Sequence, residues 1–193
     1  MRQDTVRHCA LLALLLLCAL PDFGQSTGSA AASPCARDKA YSRLDFWLGD
    51  WLVVDSSGAV VGSASLDKIL GGCAIQYRWR DPDGSETLEL FYYVLAAKQW
   101  RQLLLSDSGR TMERTLVEES EKSNRVRFQG KAQRLNGSPY FDRSTITPLG
   151  PDEIHQVIER SLDGSDWRVA FDAHYKRRSR SSSGGTVDPA MLM

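Results

Sequence analysis

Four polar or half-polar side chains lie in stretches that otherwise supply apolar residues to a core: Tyr77, Gln102, Arg143 and Gln156. A buried arginine needs a partner, which is either a carboxylate of the protein or the acid group of a ligand. These residues are therefore candidates for a ligand-binding site in which Arg143 holds an acidic head group. The alternative, an outward-pointing Arg143 beside Asp142, is equally compatible with the sequence.

Aromatic side chains form a second candidate set, because they are spread over different predicted strands and can converge inside a closed sheet. Such a set either lines an apolar pocket or fills it. Its members are Tyr77, Trp79, Tyr92, Trp100, Phe128 and Phe141. Together with Gln102, Arg143 and Gln156, they make up the predicted lining of a ligand cavity.

The sequence carries none of the common catalytic or metal-binding motifs. It has no helix-borne pair of histidines with a glutamate, no cysteine cluster, no Gly-x-Ser-x-Gly elbow and no phosphate-binding loop. We therefore predict no catalytic residue and no metal ligand, and an enzyme of this sequence would have to assemble its residues from separate strands. Lys+Arg and Asp+Glu both number 24, so a nucleic-acid partner is not indicated.

The elements that position these side chains are predicted to be short antiparallel strands. Alternating apolar and polar runs recur at intervals of about a dozen residues, and Gly-containing turn pairs such as Asn136-Gly137 and Asp163-Gly164 separate them. In the run Cys73–Arg80, Tyr77 and Trp79 fall on one face and Arg78 on the other. The predicted strands are 50–55, 59–70, 73–81, 86–95, 98–106, 110–119, 124–134, 139–148, 153–162 and 166–176.

An open meander of this size would leave two long unpaired edges, and closing the sheet removes them. The predicted fold is therefore all-β, a single closed up-and-down antiparallel barrel of about ten strands with a short helical plug at its amino terminus. Residues 36–46 suit one or two helical turns, which Gly49 can end in a left-handed conformation. Trp51 and Val53 then share one face of the first strand.

The amino terminus reads as a secretory signal peptide over residues 1–26. Arg2 and Arg7 precede an apolar run, Cys9 to Leu20, that is too short to span a bilayer and is closed by Pro21. We expect a flexible segment at 27–36, the barrel domain at 37–177 and a disordered tail at 178–193. The expected location is periplasmic or extracellular, with no transmembrane span in the mature protein.

Removal of the signal peptide leaves two cysteines, Cys35 and Cys73. Export to an oxidising compartment favours a disulfide between them, and the alternative is two unrelated thiols. The loop that the disulfide would close is 73 − 35 = 38 positions long. The chain-entropy treatment assigns about 4 kcal/mol to such a loop.

Several fragments together carry a family resemblance: Phe46–Trp51, Gly72-Cys73, Trp79, Trp100–Gln102, Arg143, and Ser161–Gly164 with Trp167 and Tyr175. They resemble an uncharacterised family of exported bacterial proteins, a domain of unknown function described as lipocalin-like (calycin-like) and akin to the nitrobindin barrels. The Gly49-x-Trp51 step resembles the entry to lipocalin-like barrels, where a tryptophan on the first strand seals the floor. The resemblance covers about residues 44–177 and implies a barrel but no reaction.

A nitrobindin-like haem site would need an axial histidine, and His155 and His174 are the two histidines downstream of the signal peptide. In the last predicted strand, apolar residues such as Phe171 and Tyr175 alternate with His174. If the apolar set faces the interior, His174 faces solvent. The sequence therefore disfavours haem, and we predict no cofactor.

Three hypotheses for function follow. The leading one is an exported binding protein whose barrel holds a small apolar or amphipathic ligand. The second is a barrel-type enzyme acting on a hydrophobic substrate, which a strongly perturbed pKa of a buried, cleft-facing group would favour. The third is a packed envelope scaffold without a ligand, which a filled interior would favour.

Overall fold

The computed structural model describes residues 33–119, 122, 124–134 and 136–178. The predicted signal peptide at 1–26 lies outside the described residues, as do most of the segment 27–36 and all but the first residue of the tail 178–193.

Ten antiparallel strands form a closed barrel in which each strand pairs with its neighbours in sequence and the first pairs with the last. The strands are β1 (Gly49–Val54), β2 (Val60–Ile69), β3 (Ala74–Arg80), β4 (Glu86–Val94), β5 (Gln99–Ser106), β6 (Thr111–Glu119), β7 (Val126–Gln133), β8 (Pro139–Gly150), β9 (Glu153–Ser161) and β10 (Arg168–Arg177). The predicted closed up-and-down barrel is confirmed, and the strand ends differ from the predicted ones by at most two residues.

A short helical plug precedes β1. It comprises α1 (Pro34–Arg37) and two 3₁₀ turns, Lys39–Ser42 and Asp45–Trp47. The plug begins inside the segment 27–36 that was expected to be flexible, because Ser33 caps α1 by accepting a hydrogen bond from the backbone of Cys35. Further 3₁₀ turns at Leu70–Gly72 and Leu95–Ala97 connect strands.

A disulfide joins Cys35 in α1 to Cys73 at the start of the β3 region, with a Cα–Cα distance of 5.0 Å. The predicted pairing is confirmed, and the alternative of two unrelated thiols is wrong. The bond attaches the plug to the barrel wall next to the turn that enters β3.

Trp51 and Val53 face the interior and are completely buried, as the spacing predicts. The indole N–H of Trp51 donates to the backbone oxygen of Trp47 at 2.9 Å, which fixes the plug to β1. Arg177 of β10 lies over the Trp51 ring, 4.2 Å from its centroid, and donates to the backbone oxygen of Leu48 at 2.9 Å. These contacts close the plug end of the barrel.

Gly49 has a φ of +121°, a conformation that favours glycine. It does not end a helix, because the 3₁₀ turn stops at Trp47 and Leu48 is already extended. Instead, Gly49 begins β1 where the guanidinium of Arg177 occupies the space that a Cβ atom would need. The predicted positive φ is therefore present, and the close approach of Arg177 is a second reason for glycine at this position.

The core fills the inside of the barrel in two clusters. The larger cluster includes Trp47 and Trp51 and reaches the plug. The smaller one consists of Leu104, Met112, Ala132 and Tyr140. We call the end of the barrel opposite the plug the distal end; it is formed by the turns that join β1 to β2, β3 to β4, β5 to β6, β7 to β8 and β9 to β10. The smaller cluster lies near this end.

Candidate functional site

Six of the nine residues predicted to line the barrel contribute to its interior: Tyr77, Trp79, Trp100, Gln102, Phe128 and Gln156. All are buried except Trp79, which is partly buried and packs against the core. The strands therefore bring these residues together as predicted. They serve as filling: the Tyr77 ring packs against Trp47 of the plug, Trp100 donates to the backbone oxygen of Ala40, and Phe128 packs against Phe91.

Three predicted lining residues, Tyr92, Phe141 and Arg143, lie on the outer face instead. Each is adjacent in its strand to a buried, inward-facing neighbour, and successive side chains of a strand point to opposite faces. For Tyr92, that buried neighbour is Phe91. For Arg143, the inward-facing neighbour is Asp142.

Arg143 finds its acidic partner within the protein. Its Nε and Nη2 atoms donate to the two carboxylate oxygens of Glu159 at 2.7 and 2.8 Å. The guanidinium also stacks on Trp167, 4.0 Å from the ring centroid. The hydrogen bonds from Arg143 lower the pKa of the Glu159 carboxyl. The expectation that Arg143 holds a ligand head group inside the barrel is therefore wrong.

A layer of hydrogen-bonded polar side chains separates the two core clusters. Arg114 donates from Nε to Asp142 Oδ1 at 2.8 Å and from Nη1 to Gln102 Oε1 at 3.1 Å. Gln102 donates in turn to the carboxylate of Glu89. Arg160 reaches the second oxygen of Asp142 at 3.2 Å. We call Glu89, Gln102, Arg114 and Asp142 the buried polar layer; the exposed Arg160 borders it at the distal end.

A second hydrogen-bonded chain runs through the larger core cluster. The hydroxyl oxygens of Tyr77 and Tyr175 are 3.0 Å apart, and Tyr175 donates to Gln156 Oε1. Gln156 donates to Ser144 Oγ at 2.8 Å. Burial raises the pKa of both tyrosines. They are therefore neutral hydroxyls whose main role is to satisfy buried polar groups.

Burial also raises the pKa of Glu89, against the opposing effects of the Arg114 charge and the hydrogen bond from Gln102. This is part of what the enzyme hypothesis requires. The group must also face a cleft to act on a substrate. Glu89 lines none of the cavities described below, so the requirement is met only in part.

The sequence reasoning missed Glu89, Arg114, Asp142, Ser144 and Tyr175 as members of the interior polar groups. A signal was present for Arg114, because alternation places it on the same strand face as Met112. Glu89 shares a face with Phe91 in the same way. A charged residue that falls on the same strand face as apolar residues therefore indicates a charge inside this barrel.

Two adjoining cavities lie at the distal end, and we call them together the distal site. One has a volume of about 350 Å³ and is lined by Ser108, Arg110, Gln133, Arg134, Tyr140 and Arg160. The other, of about 450 Å³, shares Arg134, Tyr140 and Arg160 with the first. It extends to the β9–β10 turn, where Leu162 and Val169 line it with side chains that are 71% and 61% exposed.

The distal site is rich in arginine. The guanidinium groups of Arg134 and Arg160 lie over the Tyr140 ring, 5.9 and 5.5 Å from its centroid. The Nε atom of Arg110 is buried and makes no hydrogen bond to any residue that the structure describes. A buried donor without a partner costs about 1–3 kcal/mol, and an acceptor that entered the cavity and reached this atom would offset that cost.

The acidic residues of the same cavities have other partners. The carboxylate of Asp163 accepts hydrogen bonds from the backbone of Ser165 and Asp166, and these bonds lower its pKa. The Asp166 carboxylate lies 3.5 Å from Arg168. Asp142 is occupied within the buried polar layer. The carboxylates that line the two cavities therefore make no described ion pair with Arg110 or Arg134, although the charge of Arg110 acts on the buried Glu89 carboxyl and tends to lower its pKa.

The largest described cavity, of about 1020 Å³, lies outside the barrel. It is an open trough over β10 and β1–β5, and basic residues including Arg78, Arg80 and Lys176 line it. Much of their charge is used locally, since Arg80 pairs with Glu86 and Lys176 pairs with Glu153.

His174 lies on the outer face, as predicted, stacked on His155 and within 2.9 Å of a Glu153 oxygen. In the described part of the chain, no group of three or more His, Cys, Asp or Glu side chains is arranged to hold a metal ion. None of the helices described there is long and apolar enough to cross a membrane.

Comparison with family models gives no match for this chain, and comparison with curated proteins gives none either. The structure itself defines the class of protein: a closed ten-stranded antiparallel barrel with a disulfide-linked helical plug. A barrel of this class is compatible with binding a small ligand. The resemblance to exported lipocalin-like domains stays a prediction.

Proposed function

We propose that this protein is an exported binding protein that holds a small amphipathic anion at the distal site. The observation that carries the proposal is the buried, unsatisfied Nε of Arg110, which lies in a cavity with Arg134, Arg160 and Tyr140. Guanidinium groups are suited to carboxylate, sulfate and phosphate groups, because their donors match the oxygens of these anions.

The distal site is favoured over the barrel interior, where the sequence led us to expect the ligand. Inside the barrel, the polar groups of Arg114, Asp142, Gln102 and Glu89 already bond to one another. A ligand that entered there would have to displace both these bonds and the aromatic packing. At the distal site, in contrast, a ligand would add a missing bond.

The apolar part of the proposed ligand has its own surface. Leu162 and Val169 are exposed large apolar side chains on the cavity wall, and the face of Tyr140 lies between two guanidinium groups. The two cavities, of about 350 and 450 Å³, share three residues, and each falls in the size range of small-molecule sites. A medium-chain or aromatic carboxylate fits this combination of charge and apolar area.

The disulfide supports the exported location, because such bonds persist mainly in oxidising compartments. Purification of the protein from its host under non-reducing conditions would show whether Cys35 and Cys73 are oxidised there. Amino-terminal sequencing of the same material would locate the cleavage site of the signal peptide. A reduced, uncleaved chain would argue against export without affecting the ligand proposal.

The binding test uses decanoate and an anionic naphthalene sulfonate, with decanol as the neutral counterpart of decanoate. We expect the anions to bind and decanol to bind much more weakly. Removal of one charge-assisted hydrogen bond costs about 1.5–3 kcal/mol, so Arg110→Gln and Arg134→Gln should each weaken anion binding by about 10- to 100-fold. Titration calorimetry measures both effects.

Arg78→Gln is the matched control, because Arg78 is exposed and lines the outer trough instead of the distal site. It should leave anion binding unchanged. If Arg78→Gln abolishes binding while Arg110→Gln and Arg134→Gln do not, the ligand occupies the trough and the distal-site proposal is refuted. If decanoate and the naphthalene sulfonate both fail to bind, the proposal also fails.

A packed scaffold without a ligand is the second candidate. The dense interior favours it, since the described core residues pack against one another from the plug to the smaller cluster. Native mass spectrometry of protein purified from its host separates the two candidates. A co-purifying anion supports the binding protein, and a consistently empty barrel supports the scaffold.

A further inference from the structure

We propose that His155 and His174 form a binding site for a divalent first-row transition-metal ion on the outer face of the barrel. Copper, nickel and zinc ions are the chemical class, because neutral imidazole suits all three. The site is independent of the distal site. It uses two protein ligands, with water completing the coordination of the ion.

The sheet register places the two histidines directly opposite each other. His155 of β9 pairs with His174 of β10 in the antiparallel ladder. Their ring centroids are 4.7 Å apart and the ring planes differ by 21°. Opposite residues of an antiparallel pair have Cβ atoms about 4.5–5.5 Å apart, so two imidazoles at such positions can reach one ion without movement of the backbone.

The ring separation matches what two imidazoles on one ion require. With metal–nitrogen distances of about 2.0–2.1 Å and ligands at roughly tetrahedral or square angles, ring centroids lie about 4.5–5.2 Å apart. The observed 4.7 Å falls inside this interval. To direct one nitrogen each at a shared ion, the stacked rings must rotate about χ2, a torsion that is broad in histidine, and the carboxylates of Asp172 and Glu153 must follow them.

Each ring already has the carboxylate partner that metal-bound histidines commonly have. His155 Nε2 lies 2.7 Å from Asp172 Oδ1, and His174 Nδ1 lies 2.9 Å from Glu153 Oε1. A carboxylate that accepts the N–H of one ring nitrogen leaves the lone pair of the other nitrogen for a metal and makes it more basic. The available ligand atoms are therefore His155 Nδ1 and His174 Nε2.

The charge of the surroundings also favours a cation. Asp172 and Glu153 supply two carboxylates, and Lys176, 2.6 Å from Glu153, supplies one positive charge. Two protonated imidazoles stacked at 4.7 Å would repel each other. A single divalent ion bound by two neutral rings places positive charge near the carboxylates of Asp172 and Glu153 without this repulsion.

The test is a titration of the untagged full chain with nickel, copper and zinc chloride, followed by calorimetry. His8, Cys9 and Cys18 lie outside the described residues, and replacing all three with alanine in every protein tested removes their contribution. We expect one ion per chain. Because the second imidazole binds intramolecularly, His155→Gln and His174→Gln should each weaken binding by roughly 10²-fold.

Asp172→Asn tests the orienting role of the carboxylate and should weaken metal binding by about tenfold. Asp166→Asn is its control, because Asp166 is an exposed carboxylate on the β9–β10 turn and should leave metal binding unchanged. All variants lie on the surface, and circular dichroism with a thermal melt verifies their folding. In wild type, the metal should also raise the melting temperature, because the ion binds only the folded site.

The proposal is overturned if none of the three ions binds wild type. It is overturned equally if either single histidine variant binds as tightly as wild type, since the two rings would then act separately. Binding that survives in the double variant would place the ion elsewhere and would refute this site as well.

Discussion

Asp142→Asn should be among the most damaging single substitutions in this protein, although it changes the side-chain shape very little. Asp142 is fully buried and accepts from Arg114 on one oxygen and from Arg160 on the other. An asparagine must turn an amide group toward one of these guanidinium groups, which places two donors face to face. Arg114, only 3% exposed, would also lose its compensating charge.

The structure sets the expected size of this effect. Loss of a charge-assisted hydrogen bond costs about 1.5–3 kcal/mol, and leaving a buried charge without its partner raises the total to about 3–5 kcal/mol. Arg114 keeps its hydrogen bond to Gln102 Oε1, which still satisfies part of the guanidinium. We therefore expect the lower part of that range, about 3 kcal/mol.

Urea unfolding at pH 7 with the disulfide intact measures the change in the free energy of unfolding. Asp166→Asn is the matched control: its ion pair with Arg168 is exposed and should contribute less than about 1 kcal/mol. The double variant Arg114→Met, Asp142→Leu should be more stable than Asp142→Asn alone, because apolar side chains replace both buried charges. The reasoning is refuted if Asp142→Asn costs less than about 1 kcal/mol, or if its cost is unchanged when Arg114 is methionine.

Three further predictions concern other parts of the barrel. Burial raises the pKa of Glu89 in the folded state, so its favourable contribution to the free energy of unfolding is complete below the unfolded-state pKa of about 4.3 and is lost as the pH rises through the folded-state pKa. The free energy of unfolding of wild type, measured in urea relative to Glu89→Gln, should therefore fall over that pH interval. A difference that does not change with pH would contradict this prediction. Replacing Cys35 and Cys73 with serine should cost about 2–5 kcal/mol in the same assay, and an unchanged midpoint would show that the disulfide does not constrain the unfolded chain. Gly130→Ala should cost about 1–3 kcal/mol or more, because a Cβ there would overlap the backbone of β6, whereas Gly150→Ala has open space and should be nearly neutral; equal effects would refute the packing argument.

The strand pattern was readable from the sequence because it is local. Alternation within each run and turn pairs such as Asn136-Gly137 define both the strands and their ends, and sequential neighbours leave one simple pairing order. The disulfide was predictable for a different reason. Only Cys35 and Cys73 lie downstream of the predicted signal peptide, so the prediction of export left one possible pair.

The inward or outward direction of individual polar side chains was not readable in the same way. In β8, one face carries Tyr140 and Asp142 and the other carries Phe141 and Arg143, so each face holds one aromatic and one charged residue. Local pattern gives no preference between them. The interior face is chosen by the partners across the barrel, where Arg114 reaches Asp142 from β6 and Glu159 reaches Arg143 from β9.

β10 shows the same division between local and tertiary information. Phe171 and Tyr175 face inward and His174 outward, as alternation predicts. Val169 departs from the pattern, because a register shift between Val169 and Phe171 moves it to the surface and into the distal site.

The sequence alone therefore determined that this chain makes about ten strands, closes them into a barrel and joins Cys35 to Cys73, because each of these depends on neighbours along the chain or on counting. Only the tertiary structure decided which charges are buried together, where a buried donor such as Arg110 Nε finds no partner among the described residues, and that His155 lies opposite His174. These features depend on the register between strands, and a shift of one residue would turn every one of them to the other face.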